Sequence, residues 1–169
     1  DILQEVDGIE NETGRRVPVI AAGGIYSGGD IRRFLGIGAS GVQMATRFVA
    51  TEECDAGREF KQAYLDCREG DIEIIDSPVG MPGRVIVNEF VRDMRAGGKA
   101  PRACPYHCIS TCKQKQSPYC IAAALINAYK GRLKNGFAFV GANGYRVDKI
   151  VTVRELFRTL ENEYSDEST

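Results

Sequence analysis

The chain has 169 residues, of which 43% are hydrophobic and 27% charged, and its formal net charge is -1. These values are typical of one ordinary globular domain, and they give no basic surface for nucleic acid or an anionic membrane. No apolar run approaches the ~20 residues that span a bilayer, and no secretory signal pattern opens the chain. We therefore expect a cytoplasmic protein with neither of these partners.

The first predicted element is an amphipathic helix from Ile2 to about Asn11, because apolar residues recur there at helical spacing. No cap precedes it, and Asp1 is not an initiator methionine. The pattern therefore indicates that the given sequence begins inside a helix. We expect it to be the C-terminal portion of a larger protein.

Two βα units are predicted next. A buried strand over 17–22 ends in Gly23-Gly24, a helix that starts at Ser27 follows, and a second strand spans 41–44. Glycine lets the backbone approach an anion closely, so the ends of the two strands predict a phosphate site. In a (β/α)8 barrel such a site commonly lies at the loops after the last two strands, and a whole barrel takes ~250 residues. The predicted fold class is therefore α/β, comprising the last two βα units of a TIM barrel and a mostly helical C-terminal extension.

Further helices and one short strand are predicted in the rest of the chain. A Thr-x-x-Cys start at Thr51 precedes a helical pattern that Gly70 ends, and Thr152 opens a capping box for the terminal helix. The other predicted elements are a strand over 72–76, a helix over 88–95 and a helix over 118–130 with Ser117 as its cap.

We divide the chain into three parts at its glycine breaks. Gly70 ends the first part, and Gly97-Gly98 ends the second. The parts are the barrel units with the phosphate site at 1–70, a connecting strand-loop-helix at 71–100 and a cysteine-rich helical extension at 101–169.

Glycines after a strand are most often simple turns, so an anion site is one of two interpretations of these residues. Two such turns on consecutive strands favour the anion site. Neither turn has the G-x-G-x-x-G pattern of dinucleotide folds, and no Gly-Lys-Ser/Thr of a P-loop follows. A barrel-type site for a flavin phosphate fits the pattern better than either.

Two stretches of sequence carry a family resemblance. They are Val-Pro-Val-Ile-Ala-Ala-Gly-Gly-Ile at 17–25 and Gly-Val-Gln-Met-Ala-Thr-Arg-Phe at 41–48. Both closely resemble the nitronate monooxygenase (2-nitropropane dioxygenase) family. The resemblance continues more loosely through 77–84, and residues 141–150 resemble the end of a bacterial subgroup with a cysteine-rich tail. The family consists of FMN-dependent TIM-barrel oxidoreductases, and flavin-dependent enoyl-ACP reductase II belongs to the same superfamily.

The resemblance implies that backbone groups at the two strand ends hold the FMN phosphate. The family usually has glycine at the position of Ala45, so we expect weaker or slightly shifted phosphate binding at worst, since alanine does not adopt positive φ cheaply. His107, the chain's only histidine, does not match the family's catalytic base, and no catalytic residue is assigned. The implied cofactor-binding residues are Ala22, Gly23, Gly24, Met44, Ala45 and Thr46.

The activity implied is that of an FMN-dependent oxidoreductase that oxidises nitronates, as small-molecule substrates, with oxygen. One alternative is an NAD(P)H-dependent flavin oxidoreductase of the enoyl-ACP reductase II type, and another is a phosphate- or metal-binding module without catalysis. The isolated chain fits the last best, because two βα units leave an open sheet edge. We expect it to be inactive without the N-terminal part of its own barrel, and an oligomer is compatible with either enzyme.

Four cysteines, Cys104, Cys108, Cys112 and Cys120, fall within seventeen residues. Reducing thiol pools disfavour a disulfide framework in the cytosol, which leaves a metal site or free thiols. Four thiolates suit zinc or an iron–sulfur cluster, although this spacing matches neither the common zinc pattern nor the ferredoxin pattern. If 105–112 were helical, the first three sulfurs would lie along one stripe. We predict a metal site, with buried free cysteines or a disulfide as alternatives.

Arg47 follows the second strand and is a candidate partner for a phosphate. An arginine at such a position more often holds a neighbouring loop. We favour the structural role for Arg47.

Overall fold

This computed structural model describes residues 2–110 and 112–166, which form α-helices, short strands and a few 3-10 turns. The helices are α1 (Ile2–Thr13), α2 (Gly28–Gly36), α3 (Thr46–Val49), α4 (Arg58–Leu65), α5 (Glu89–Arg95), α6 (Ile121–Tyr129) and α7 (Val153–Ser165). The strands are β1 (Ile20–Ala22), β2 (Gly41–Gln43), β3 (Ile72–Ile75) and β4 (Gly83–Ile86). The predicted α/β class is confirmed. No helix in these two ranges has the length and apolar character needed to cross a membrane.

The two strands that follow α1 form a parallel pair, and α2 connects them. The pairing runs from Ile20 opposite Gly41 to Ala22 opposite Gln43. This is the predicted βα connection. β1 is shorter than predicted, because β2 offers partners to only three of its residues and 17–19 lie outside the ladder.

A capping box starts α2 directly after the turn that ends β1. Ser27 Oγ accepts a hydrogen bond from the Asp30 N–H at 3.1 Å, and Asp30 Oδ2 accepts from the N–H groups of Ser27 at 3.0 Å and Tyr26 at 2.9 Å. Gly28 is buried against α7, where a Cβ would lie 2.1 Å from the carbonyl oxygen of Leu160. Only glycine permits this approach, so the packing of α2 on α7 depends on residue 28.

An antiparallel sheet lies farther along the chain. β3 pairs with β4 over four residues of each strand. Val85 of β4 also pairs with Phe139, and the Ile86 N–H donates to the carbonyl oxygen of Ala138 at 3.0 Å. Residues 137–140 therefore extend the sheet. Neither β4 nor this third segment is predicted from the sequence, because β4 directly follows a loop rich in proline and glycine.

The buried side chains form two cores. The first core consists of Ile75, Val85, Phe90, Val91, Met94, Tyr119, Ile121, Ala124 and Phe137. The second core consists of Ala50, Tyr64, Cys67, Ile86, Ala138, Val140 and Val147. Each core draws residues from more than one of the three predicted parts, whose boundaries stay a prediction.

The predicted helix start at Thr51 is wrong. The Thr51 backbone pairs instead with Val151, and α4 begins only at Arg58 with Gly57 before it. Thr51 is almost fully buried, and its hydroxyl donates to the carbonyl oxygen of Phe48 at 2.8 Å. The residue therefore serves a long-range contact that no local pattern shows.

The predicted cap of α6 is wrong as well. The helix begins at Ile121 with Cys120 as its N-cap. Ser117 is buried, and its hydroxyl donates to the carbonyl oxygen of Lys113 at 3.0 Å. Within 105–112 the described residues form no helix, so the proposed stripe of sulfurs does not exist.

The capping carboxylate of Asp30 predicts an acid-sensitive contribution to stability. Burial alone would raise its pKa, but the hydrogen bonds from Ser27 and Tyr26 together lower it below the ordinary value. A lowered folded-state pKa stabilises the protein above about pH 4, and this stabilisation is lost as the pH falls through the folded-state pKa. We expect Asp30→Asn to lower the free energy of unfolding by about 1 kcal/mol at pH 7 and by less at low pH. Urea unfolding at several pH values measures the free energy of unfolding. Asp7→Asn on the exposed face of α1 is the control. An equal loss of unfolding free energy in both variants would contradict the prediction.

Candidate functional site

The ends of β1 and β2 lie side by side and open onto a cavity of about 260 Å³, which we call the phosphate cavity. All six residues predicted to bind the cofactor line it, namely Ala22, Gly23, Gly24, Met44, Ala45 and Thr46. The structure therefore brings together residues that the sequence separates by a whole βα unit. Their role in binding stays a prediction.

The turn after β1 has the backbone conformation that requires glycine. The φ angles are 88° at Gly23 and 73° at Gly24, in the left-handed region that side chains with a Cβ rarely adopt. A Cβ at either residue would meet no atom within 4 Å. Both glycines therefore face open space, and the room over their backbone is available to a ligand.

The turn after β2 leads directly into the short helix α3. Ala45 is the N-cap of α3, and no side chain caps the first amide groups of the helix. Its φ angle is -131°, so the position does not need glycine. The expected weakening of phosphate binding by Ala45 thus has no basis in backbone strain.

A third wall of the phosphate cavity comes from residues 141–143. The Asn143 side-chain amide donates to the carbonyl oxygen of Gly24 at 2.7 Å, and the Gly141 N–H donates to Thr46 Oγ1 at 3.0 Å. A Cβ at Gly141 would lie 2.7 Å from the same oxygen, so a larger residue would force the Thr46 hydroxyl to shift. Sequence reasoning missed this wall. A Gly-Ala-Asn-Gly stretch indicates a turn, but nothing local shows that the turn reaches the barrel units.

Arg47 holds the loops around the cavity together. Its guanidinium donates to the carbonyl oxygen of Tyr26 at 3.1 Å and forms an ion pair with Glu163 of α7 at 3.0 Å. The guanidinium carbons of Arg47 and Arg146 both lie over the Tyr26 ring, at 4.8 Å and 4.4 Å from its centroid. These contacts place Arg47 in the structural role that the sequence analysis favours.

Tyr26 is the one titratable residue among those lining the phosphate cavity. Burial raises its pKa above the ordinary value, and the nearby charges of Arg47 and Arg146 only reduce the effect. Its hydroxyl donates to the carbonyl oxygen of Arg146 at 2.8 Å. The lining of the cavity therefore offers no general base for neutral pH.

The four cysteines predicted as metal ligands line a second cavity of about 370 Å³, which we call the thiol cavity. His107 lines the same cavity, away from the phosphate cavity. No three His, Cys, Asp or Glu side chains in the described ranges are arranged to hold a single metal ion. All six cysteines of the chain are free thiols, and the metal assignment stays a prediction.

A family model described as nitronate monooxygenase matches residues 2–163. The chain belongs to the nitronate monooxygenase family. This confirms the resemblance found in the sequence around the two strand ends.

Curated relatives match about half of the chain. It is 44% identical over 79 residues to "Probable nitronate monooxygenase" of Staphylococcus haemolyticus, which covers 47% of this chain and 22% of the relative. It is 36% identical over 87 residues to "(3aS,4S,5R,7aS)-5-hydroxy-7a-methyl-1-oxo-octahydro-1H-indene-4-carboxyl-CoA dehydrogenase" of Mycobacterium tuberculosis, which covers 52% of this chain and 24% of the relative. The matched segments are therefore small parts of both relatives.

Solved structures match nearly the whole chain. FabK from Thermotoga maritima superposes with a TM-score of 0.69 at 26% identity, over 94% of this chain and 47% of that one. Nitroalkane oxidase from Streptomyces ansochromogenes superposes with a TM-score of 0.64 at 27% identity, over 91% of this chain and 41% of that one. The chain thus spans less than half the length of these two proteins.

The contacts of Arg47 predict a larger stability loss than an exposed arginine would give. Arg47→Met removes the ion pair with Glu163 and leaves the Tyr26 carbonyl oxygen without this donor, so we expect the free energy of unfolding to fall by about 2 kcal/mol. Arg154→Met, at an exposed position of α7, should change it by less than about 0.5 kcal/mol. Urea denaturation of both variants measures the difference. Equal effects would show that Arg47 does not hold the loops together.

Proposed function

We propose that this chain binds the phosphate of FMN in a flavin-dependent oxidoreductase of the nitronate monooxygenase type, as the last two βα units of its (β/α)8 barrel. The observation that carries the proposal is the phosphate cavity itself. It gathers all six predicted residues, and two positive-φ glycines on its wall face open space. Membership of the nitronate monooxygenase family supports the same cofactor.

The residues present fit a phosphate group. The backbone amides of Gly23 and Gly24 would hold one side of it and those of Ala45 and Thr46 the other, with Ala22 and Met44 beside them. Backbone donors at a glycine turn and at the uncapped start of α3 suit an anion without any cationic side chain. Arg47 is not needed as a phosphate ligand, because Glu163 and Tyr26 already occupy its guanidinium.

The apolar surface around β1 supports the incomplete barrel. Ile20 of β1 is 54% exposed, and Ile2 of α1 and Ile37 directly after α2 are 72% and 62% exposed. β1 and β2 pair only with each other among the described strands, and parallel strands normally lie inside larger sheets covered on both faces. Further strands and helices of the same barrel would cover this surface.

This chain's contribution to the reaction is binding and orientation. A bound flavin would supply two-electron chemistry, taking electrons from a small-molecule substrate and passing them to oxygen or another acceptor. The lining of the phosphate cavity offers no group to move a proton at neutral pH. We therefore assign the catalytic base to the remainder of the barrel and propose that the 169 residues alone do not turn over substrate.

A second candidate function is a flavin oxidoreductase that uses NAD(P)H. The observation that favours it is that a relative 36% identical over 87 residues is named as a dehydrogenase. Anaerobic mixing of the full-length flavoprotein with NAD(P)H or with an alkyl nitronate separates the two. Rapid bleaching of the flavin absorption by the nitronate alone supports the monooxygenase, and rapid bleaching by NAD(P)H supports the alternative.

The glycine turn provides the test of cofactor binding. Gly24→Ala places a methyl group in the open space at a φ of 73°, so we expect FMN affinity to fall by about tenfold or more, which corresponds to about 1.4 kcal/mol. Quenching of flavin fluorescence during titration of the full-length apoprotein measures the affinity.

The matched control is Gly97→Ala. Gly97 has a φ of 82° and no atom within 4 Å of a Cβ, and it follows α5, outside the phosphate cavity. Both variants should lose about 1 kcal/mol of stability from the left-handed backbone, but Gly97→Ala should retain full FMN affinity. Failure of the unsubstituted protein to bind FMN, or equal affinity in the two variants, would refute the proposal.

A further inference from the structure

The thiol cavity is not explained by phosphate binding. It is bounded on one side by the first core, through Tyr119 and Ile121, which are 0% and 7% exposed. Its other side is the irregular segment that carries Cys104, Cys108 and Cys112, and Cys120 closes it at the start of α6. All four cysteines thus line one space, together with residues of the first core.

The burial of the four cysteines argues against a purely packing role. A structural cysteine behaves as a small hydrophobic side chain and is among the most buried residue types. Cys67 follows that rule at 5% exposure in the second core. The four cysteines of the thiol cavity do not, since Cys108 is exposed and the others are half-buried.

The arrangement also argues against a single metal ion. A tetrahedral zinc site brings its four sulfurs to about 2.3 Å from one point, which leaves no cavity between them. The described residues contain no such grouping, and the four cysteines are instead among the residues that line a space of about 370 Å³. A cluster of several irons and sulfides holds its thiolate ligands farther apart than one ion does, because the bridging atoms lie between them.

The backbone around the cavity suits such a cluster. Residues 103–110 form no helix or strand, so their amide groups are not committed to secondary structure, and hydrogen bonds to sulfur are among the contacts that tune iron–sulfur centres. His107 has a φ of 45°, the one non-glycine residue with positive φ in the described ranges. Gln114 fixes the start of the segment, since its side-chain amide donates to the carbonyl oxygen of Pro101 at 3.2 Å.

We propose that Cys104, Cys108, Cys112 and Cys120 are the ligands of one [4Fe–4S] cluster in the thiol cavity. The site is separate from the phosphate cavity, with which it shares no lining residue. The cluster proposal can therefore be tested independently of FMN binding.

The test is reconstitution of the full-length protein under anaerobic conditions with sulfide and equal amounts of ferrous and ferric iron after reduction of its thiols. We expect about four irons and four acid-labile sulfides per chain. Dithionite reduction should give the low-temperature electron paramagnetic resonance signal of a reduced cluster, which differs from that of a flavin radical in g values and relaxation. Iron and sulfide assays do not detect flavin, so they remain valid whether or not FMN is bound.

Single substitutions identify the ligands. Cys108→Ser is the sharpest variant, because its side chain is exposed and its loss does not remove core packing. We expect this variant to lose at least half of the bound iron and sulfide, and serine at 104, 112 or 120 to do the same. Cys54→Ser and Cys67→Ser are the matched controls outside the cavity and should keep both. Circular dichroism of each variant separates loss of the cluster from loss of the fold.

Three results would overturn the proposal. One is the absence of sulfide after reconstitution of the folded protein. Another is a single zinc per chain, bound without sulfide through the same cysteines. The third is a cluster that Cys108→Ser retains while Cys54→Ser loses it.

Discussion

The close approach of α7 to α2 is the constraint on which the phosphate cavity depends. Gly28 lies against the α7 backbone where no side chain would fit, and Glu163 of α7 accepts from the Gly28 N–H at 2.9 Å while pairing with Arg47. One carboxylate therefore connects the helix after β1 with the helix after β2. Because Arg47 also donates to Tyr26, the C-terminal helix fixes the loops that follow both strands.

This bracing matters because the proposed phosphate binding relies on backbone amides rather than side chains. A side-chain ligand can change rotamer to reach its partner, whereas an amide group points wherever the chain places it. The two turns must therefore be held at a fixed separation by their surroundings. Asn143 performs part of this task from the far end of the chain, since its side chain donates to the carbonyl oxygen of Gly24. Residues from the C-terminal part thus shape a site whose main walls lie near the start.

Short sequence patterns predicted the turns and helix caps that depend only on neighbouring residues. Gly23 and Gly24 follow an apolar strand, and the helix start at Ser27 and the capping box at Thr152 depend on neighbouring residues, so short patterns were sufficient to find them. The third wall at 141–143 lies more than a hundred residues from Gly24 and has no periodicity that points there. The helix start at Thr51 was wrongly predicted for the same reason. Threonine suits both a helix N-cap and a buried strand-like position, and only the pairing with Val151 distinguishes them.

Segment 137–140 connects the surroundings of the thiol cavity with those of the phosphate cavity. Phe137 packs in the first core, beside the thiol cavity, while Ala138 and Val140 pack in the second, from which the chain continues into the third wall of the phosphate cavity. The Ile86–Ala138 hydrogen bond ties this segment to β4. Pairing with β4 therefore fixes the position of segment 137–140, from which the chain leads into the third wall of the phosphate cavity.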